Sequence, residues 1–283
     1  MTGDRNGFAG RWRAVGLTTL SGLSLHTGAA AATGLFALAT PATVAWIRLT
    51  VAACLSIAWR RPRLSTCTAA RTRIALGYGF ATAGMNISVY EAIERIPLGT
   101  ATAIEFCGPV VVGAVFCRTW RGGLAVLLAA AGVATISQQL VVDAVGGVLF
   151  AAAAAVCYGI KIVLTGKLAA SANTFDDLAL AFLFASAALT PLFFVPSLGV
   201  WSTPASAALV IVVGALSTVI PYTLEQYSVR IVGPGGLAVL LALMPATATV
   251  VGAVALHQIP TIQQAAGIVL VMLAVALRST GTG

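Results

Sequence analysis

Leu98-Gly99-Thr100-Ala101-Thr102-Ala103-Ile104-Glu105-Phe106-Cys107-Gly108-Pro109-Val110-Val111-Val112-Gly113-Ala114-Val115-Phe116-Cys117 is an apolar run in which Glu105 alone carries a charge. A helix of about 20 apolar residues is what the hydrocarbon layer of a bilayer requires. The same ruler finds nine more runs, and together they predict spans near 14–33, 42–59, 72–92, 98–117, 121–138, 144–166, 177–196, 205–228, 235–256 and 262–278. The connections are short. Ile96-Pro97-Leu98-Gly99 and Val232-Gly233-Pro234-Gly235-Gly236 read as tight turns, because Pro and Gly interrupt the helical pattern there.

Composition agrees with an all-α integral membrane fold. The chain is 59% hydrophobic and 8% charged, with a mean hydropathy of +0.98. A soluble domain carries roughly a quarter charged residues, because its surface faces water. Gly (29 residues) and Ala are abundant, which suits helices packed closely through small side chains. The net charge of +8 does not mark a nucleic-acid binder, since the basic residues fall in short clusters between apolar runs.

Those clusters set an orientation. With the N-terminus inside, loops on the inner side hold thirteen Lys and Arg, while the outer side holds Arg95 alone. The positive-inside rule then predicts ten spans with both termini cytoplasmic. The apolar run after Arg13 is about 20 residues long, beyond a signal peptide's core of about 7–15, so it reads as a span. Five cysteines show no metal spacing and imply no disulfide framework.

The two halves echo each other. Arg95-Ile96, Gly99 and Pro109 are matched by Arg230-Ile231, Gly233 and Pro245, and Gly132 by Gly267. Five spans per half is an odd number, so the second copy must be inverted. The predicted division is 1–140 and 141–283, with a solute site between the halves near mid-membrane.

Polar groups at membrane depth are costly and mark candidate sites. They are His26, Arg48, Asn86, Glu105, Lys161 and Glu225, with Tyr90, Tyr158 and Tyr222. Pro109 lacks an amide proton, so the carbonyl of Glu105 loses its helical partner, and a kink is expected beside a carboxyl group. Asn86 and Tyr90 share a helix face, as do Tyr158 with Lys161 and Tyr222 with Glu225. Each has a blander reading. Glu105 would pair with Arg48 or Lys161, Lys161 would snorkel to the inner surface, and Glu225 would pair with Arg230. His26 would be a neutral helix-bonded residue and Arg48 an anchor between helices. Glu91 is expected as a solvated carboxylate, with Glu94-Arg95 an exposed pair. No motif for hydrolysis, metal, nucleotide or dinucleotide chemistry is present, so neither an enzyme nor a cofactor is predicted. Transport without a nucleotide-binding loop is facilitated or ion-coupled.

Gly84-Met85-Asn86-Ile87-Ser88-Val89-Tyr90-Glu91-Ala92-Ile93, then Ala103-Ile104-Glu105-Phe106-Cys107-Gly108-Pro109, and later Leu216-Ser217-Thr218-Val219-Ile220-Pro221-Tyr222-Thr223-Leu224-Glu225, resemble the threonine/homoserine exporters. These are in the EamA branch of the drug/metabolite transporter superfamily. The resemblance implies two inverted five-helix repeats and alternating access. It further implies efflux of amino acids or related metabolites across the bacterial inner membrane. The expected partners are a small-molecule substrate, the lipid bilayer and, as candidate coupling ion, protons. The alternative is an uncoupled channel-like facilitator, or an exporter of drugs or other metabolites. This chain departs from those exporters at Met244 and Gln258, where they carry acidic residues, and at Thr33, where some carry lysine.

Overall fold

The computed structural model describes residues 3–61, 69–116, 120–137, 144–169 and 174–279. Among these the chain is helical apart from short connections. The α-helices are α1 (Gly3–Thr33), α2 (Pro41–Arg60), α3 (Ala69–Arg95), α4 (Leu98–Glu105), α5 (Cys107–Phe116) and α6 (Trp120–Ser137). They continue as α7 (Val145–Ala169), α8 (Thr174–Ser197), α9 (Pro204–Gly214), α10 (Ile220–Leu240), α11 (Met244–Ala255) and α12 (Ile262–Ser279). Each expected span coincides with one helix or one broken helix, the fourth being α4 with α5, except that α10 runs from the expected eighth span into the ninth.

Segments 41–59, 145–164, 175–201 and 204–232 are long and apolar enough to cross a bilayer unaided. Segments 98–112, 120–136, 241–255 and 262–277 are shorter apolar helices. α1 and α3 are diluted by polar residues, and many of these are buried against other helices: Thr18, Ser21, His26, Thr82 and Asn86 are all under a tenth exposed. Their polarity thus faces protein rather than lipid.

Two proline devices shape the bundle. The fourth span breaks at Phe106, between Glu105 and Cys107, one turn before Pro109, as the missing amide proton predicts. The ninth span tightens to a 3-10 turn at Leu241–Leu243 immediately before Met244-Pro245. A π-helical turn, Ala215–Val219, precedes Pro221 in the eighth span. There α1 supplies hydroxyl donors: Ser24 Oγ donates to the Leu216 carbonyl (2.7 Å) and Ser21 Oγ to the Pro221 carbonyl (3.1 Å).

Helical backbone runs on through Gly233-Pro234-Gly235-Gly236, where the sequence reads as a turn. The contacts of α1 nevertheless establish a reversal. Gly28 lies at Ser217, Ser21 at Pro221 and Thr18 at Ser228, so the eighth span descends as α1 ascends. Gly22 then meets Met244, and His26 meets Thr247, so the ninth span ascends with α1. The chain therefore turns back between Ser228 and Met244, the interval holding those glycines.

The principal pairings are α3 with α7, α1 with α10, α2 with α8, α4 with α11 and α6 with α12. As spans these are 3–6, 1–8, 2–7, 4–9 and 5–10. Advancing every member by five returns the same set. Close approach depends on glycine. A Cβ at Gly132 would sit 2.7 Å from the Gly267 carbonyl oxygen, and one at Gly267 would sit 2.7 Å from that of Gly132. A Cβ at Gly108 would come within 1.9 Å of the Ala155 carbonyl oxygen. Small residues bring the backbones together where lipid supplies no hydrophobic drive between helices.

Candidate substrate site

The break in the fourth span delivers Glu105 to the interior, where it is 8% exposed. Among the described residues its carboxylate makes no hydrogen bond or ion pair, though Lys161 and Arg48 are both within electrostatic reach. The structural ion pair that would have explained this carboxylate away is thus not formed.

A polar ladder on α3 connects the two cations. Tyr78, Thr82, Asn86 and Tyr90 recur every four residues, hence along one side of the helix, and each is at most 4% exposed. At the Tyr90 end stands Arg48 of α2. Its Nη1 donates to the Tyr90 hydroxyl at 3.2 Å, its Nη2 donates to Asn86 Oδ1, and its guanidinium carbon lies 4.9 Å from the Tyr90 ring centre. Arg48 does tie α2 to α3, as the anchoring reading anticipates. Two buried donors in this cluster, Arg48 Nε and Asn86 Nδ2, have no hydrogen-bond partner.

At the Tyr78 end stands Lys161 of α7, 8% exposed. Its ammonium donates to the Tyr222 hydroxyl at 2.5 Å and lies 4.5, 5.2 and 6.0 Å from the ring centres of Tyr222, Tyr158 and Tyr78. Lys161 therefore does not snorkel to the surface; aromatic faces and a phenol hold it inside, since ring quadrupoles attract a desolvated cation. Phe106 packs edge-on against Tyr158 at 5.2 Å, and Phe182 against Tyr222 at 5.7 Å. Tyr222 also lines a small pocket of about 30 Å³ with Ser56, Trp59, Phe175, Phe182 and Thr218, between the second, seventh and eighth spans.

Glu225 accepts from Ser21 Oγ at 3.3 Å. Its expected alternative partner, Arg230, instead lies over the rings of Phe175 and Tyr227. His26 Nδ1 is 3.0 Å from Thr247 Oγ1, which joins the first span to the ninth. Glu91 is not simply solvated. It accepts from the Ala42 amide at 3.2 Å and pairs with Arg95 at 2.7 Å, while Glu94 meets Arg95 at 3.0 Å on an exposed edge.

Asn86, Tyr90 and Arg48 thus form one cluster, Tyr158, Lys161 and Tyr222 a second, and Glu105 lies in reach of both. Glu225, which touches Ser21 of α1, lies within electrostatic reach of Lys161 and Tyr222 in the second cluster, whereas His26 sits apart at its contact with Thr247. Sequence reading missed Tyr78 and Thr82, although their spacing of four from Asn86 carried the signal. It also missed Thr247 and Ser21, whose partners lie more than 200 residues away and leave no local pattern. At Gln258 the departure from the exporters acquires a role. His257 adopts a left-handed backbone (φ 56°), the Gln258 amide donates to the Gly252 carbonyl, and its side-chain oxygen accepts from the Leu98 amide at 2.9 Å. Leu98 opens α4, where amides lack helical partners.

Residues 145–280 match the EamA-like transporter family. Threonine/homoserine exporter RhtA of Salmonella typhimurium is 29% identical over 254 residues, 87% of this chain and 84% of that protein. RhtA of Escherichia coli K12 is also 29% identical over the same extent. The match to the EamA-like family thus lies in the second half of this chain, while the likeness to the RhtA exporters extends over most of its length. A crystal structure 19% identical to this chain superposes with a TM-score of 0.61 over 93% of this chain and 95% of that one. At that identity the likeness concerns the fold alone. An all-helical membrane fold is thereby the frame in which the buried charges must be read.

Proposed function

We propose that this chain is a secondary exporter of small metabolites, foremost amino acids of the threonine and homoserine kind, across the bacterial inner membrane. The solute binds in a central cavity lined by Asn86, Tyr90, Glu105, Tyr158 and Tyr222, with His26 at its border. Arg48, Lys161 and Glu225 set the charge around it. Residues 1–140 and 141–283 are the two inverted repeats, both termini are cytoplasmic, and alternating access exposes the cavity to each side in turn.

The observation that carries this reading is Glu105, a buried carboxylate without a hydrogen-bonding partner among the described residues, placed beside a helix break within electrostatic reach of two buried cations. A charge left at membrane depth in such a setting is a functional group by default, because its insertion costs roughly 2.5–3.5 kcal/mol. Glu105 pairs with the substrate ammonium or carries the coupling proton. Similarity to the RhtA exporters supports the substrate class.

The test is uptake of radiolabelled threonine and homoserine into inverted vesicles, with and without a pH gradient. Uptake that rises with the gradient and collapses in Glu105→Gln is the expected result. Full activity in that variant removes the role of Glu105, and uptake indifferent to the gradient favours an uncoupled facilitator.

A further inference from the structure

Arg48 and Asn86 present an incomplete constellation. Arg48 spends Nη1 on Tyr90 and Nη2 on Asn86 Oδ1, which leaves Nε–H without an acceptor. Asn86 spends Oδ1 on Arg48, which leaves both protons of Nδ2 without one. Each idle donor is joined through a single carbon to an atom that makes the Arg48–Asn86 hydrogen bond, so the two flank that bond. Both residues are only 4% exposed. A buried donor left unmade costs about 1–3 kcal/mol, and two of them at one spot favour an occupant that accepts twice.

We propose that Arg48 Nε and Asn86 Nδ2 hold the carboxylate of the transported solute, so that the substrate class is the zwitterionic α-amino acid. The inference rests on the transport reading above and deepens it. A carboxylate supplies two acceptor oxygens and a full negative charge, which matches two N–H donors on or beside a guanidinium. The opposite end of the solute is provided for as well. Glu105 lies in electrostatic reach of Arg48 yet bonds to no described residue, so a molecule with an anion at one end and a cation at the other has a counterpart for each end. Lys161 is the poorer carboxylate receptor, for its ammonium already donates to Tyr222 and faces three rings. Tyr90, bound to Nη1 at 3.2 Å, holds the guanidinium in register while the solute takes Nε. Arg48 thus anchors and receives with different edges of one group.

The experiment uses the full chain in proteoliposomes and compares L-threonine with L-threoninol, which keeps the amine and hydroxyl but lacks the carboxylate. Wild-type protein is expected to transport threonine, with threoninol competing about 10- to 100-fold more weakly, the range for a lost hydrogen bond to a charged group. Asn86→Asp keeps the Oδ1 acceptor for Arg48 but replaces the idle donor by a second acceptor. It is expected to raise the KM for threonine by a similar factor while leaving the weak competition by threoninol unchanged. Thermal stabilisation of the purified protein is read in parallel with the pairs threonine and threoninol, and leucine and leucinol; the carboxylates alone are expected to stabilise, and neither to stabilise Asn86→Asp. Equal competition by threoninol, or a wild-type KM in a folded Asn86→Asp protein, overturns the carboxylate site and leaves the exporter reading standing. Carboxylate-selective stabilisation without transport of any amino acid leaves the site standing and overturns the exporter reading. Loss of stabilisation by both members of each pair in the wild type overturns the site.

Discussion

The fourth and ninth spans are built to one plan and differ in what the plan exposes. Each loses regular helix one turn before a proline and resumes as a short apolar helix. The proline denies a hydrogen bond to the carbonyl four residues earlier. In the fourth span that residue is Glu105; in the ninth it is Leu241. The break in one half therefore presents a carboxylate to the interior, and its counterpart presents a hydrocarbon. Backbone geometry is repeated, while chemistry is placed once. The difference teaches that the proline break is a scaffold, and that the residue at the freed carbonyl decides whether the scaffold becomes a site.

The largest effect is expected from making the fourth span like the ninth. Glu105→Leu should lower transport about 100-fold or more, since it removes a charge-assisted contact to the solute. Size-exclusion chromatography should show the variant folded, because a buried charge is costly to insert. Activity near wild type would break the asymmetry between the spans. Next come the glycines that let the fifth and tenth spans meet. Gly132→Ala and Gly267→Ala each place a Cβ 2.7 Å from the opposite carbonyl oxygen, and each should cost about 1–3 kcal/mol through the backbone shift that follows. Thermal melts in detergent should move by similar amounts for the two variants, and a one-sided response would show the halves to be unequal there too.

Restoring the helix at each break gives a smaller, directional contrast. Pro109→Ala returns a donor to the Glu105 carbonyl and should slow transport several-fold, whereas Pro245→Ala straightens a break without a charged residue and should slow it less. Single-turnover counterflow measures both, and equal slowing would assign function to the bends themselves. The mildest expectation concerns the clasp between the halves. Gln258→Ala removes the acceptor for the Leu98 amide at the entry to the fourth span and should cost about 1 kcal/mol, the usual worth of a helix N-terminal hydrogen bond. A Gln258→Glu variant, with a carboxylate at a helix N-terminus, should be at least as stable as wild type.

Much of the fold was legible locally. Span positions followed from runs such as Leu98–Cys117, because lipid imposes one length on every crossing helix. The break beside Glu105 followed from Pro109, because a missing amide proton acts four residues away. Asn86 and Tyr90 were legible as a pair, and the same spacing of four extends to Thr82 and Tyr78. Other features were not legible. Nothing near Lys161 says that it stays inside, since Tyr78 and Tyr222 come to it from other helices. The Ser21–Glu225 and His26–Thr247 contacts join segments more than 200 residues apart.

By itself, the amino-acid order determined what each helix needs: a span length, a break beside Pro109, a face on which polar groups recur, and a charge at Glu105 that lipid will not solvate. Which groups answer one another was decided only by the packed bundle. The reversal between Ser228 and Met244, the meeting of Gly132 with Gly267, and the approach of Arg48 and Lys161 to within electrostatic reach of Glu105 all depend on how close the helices come. That distance is a property of small-residue packing between distant segments, and hydropathy and spacing along one helix carry no record of it.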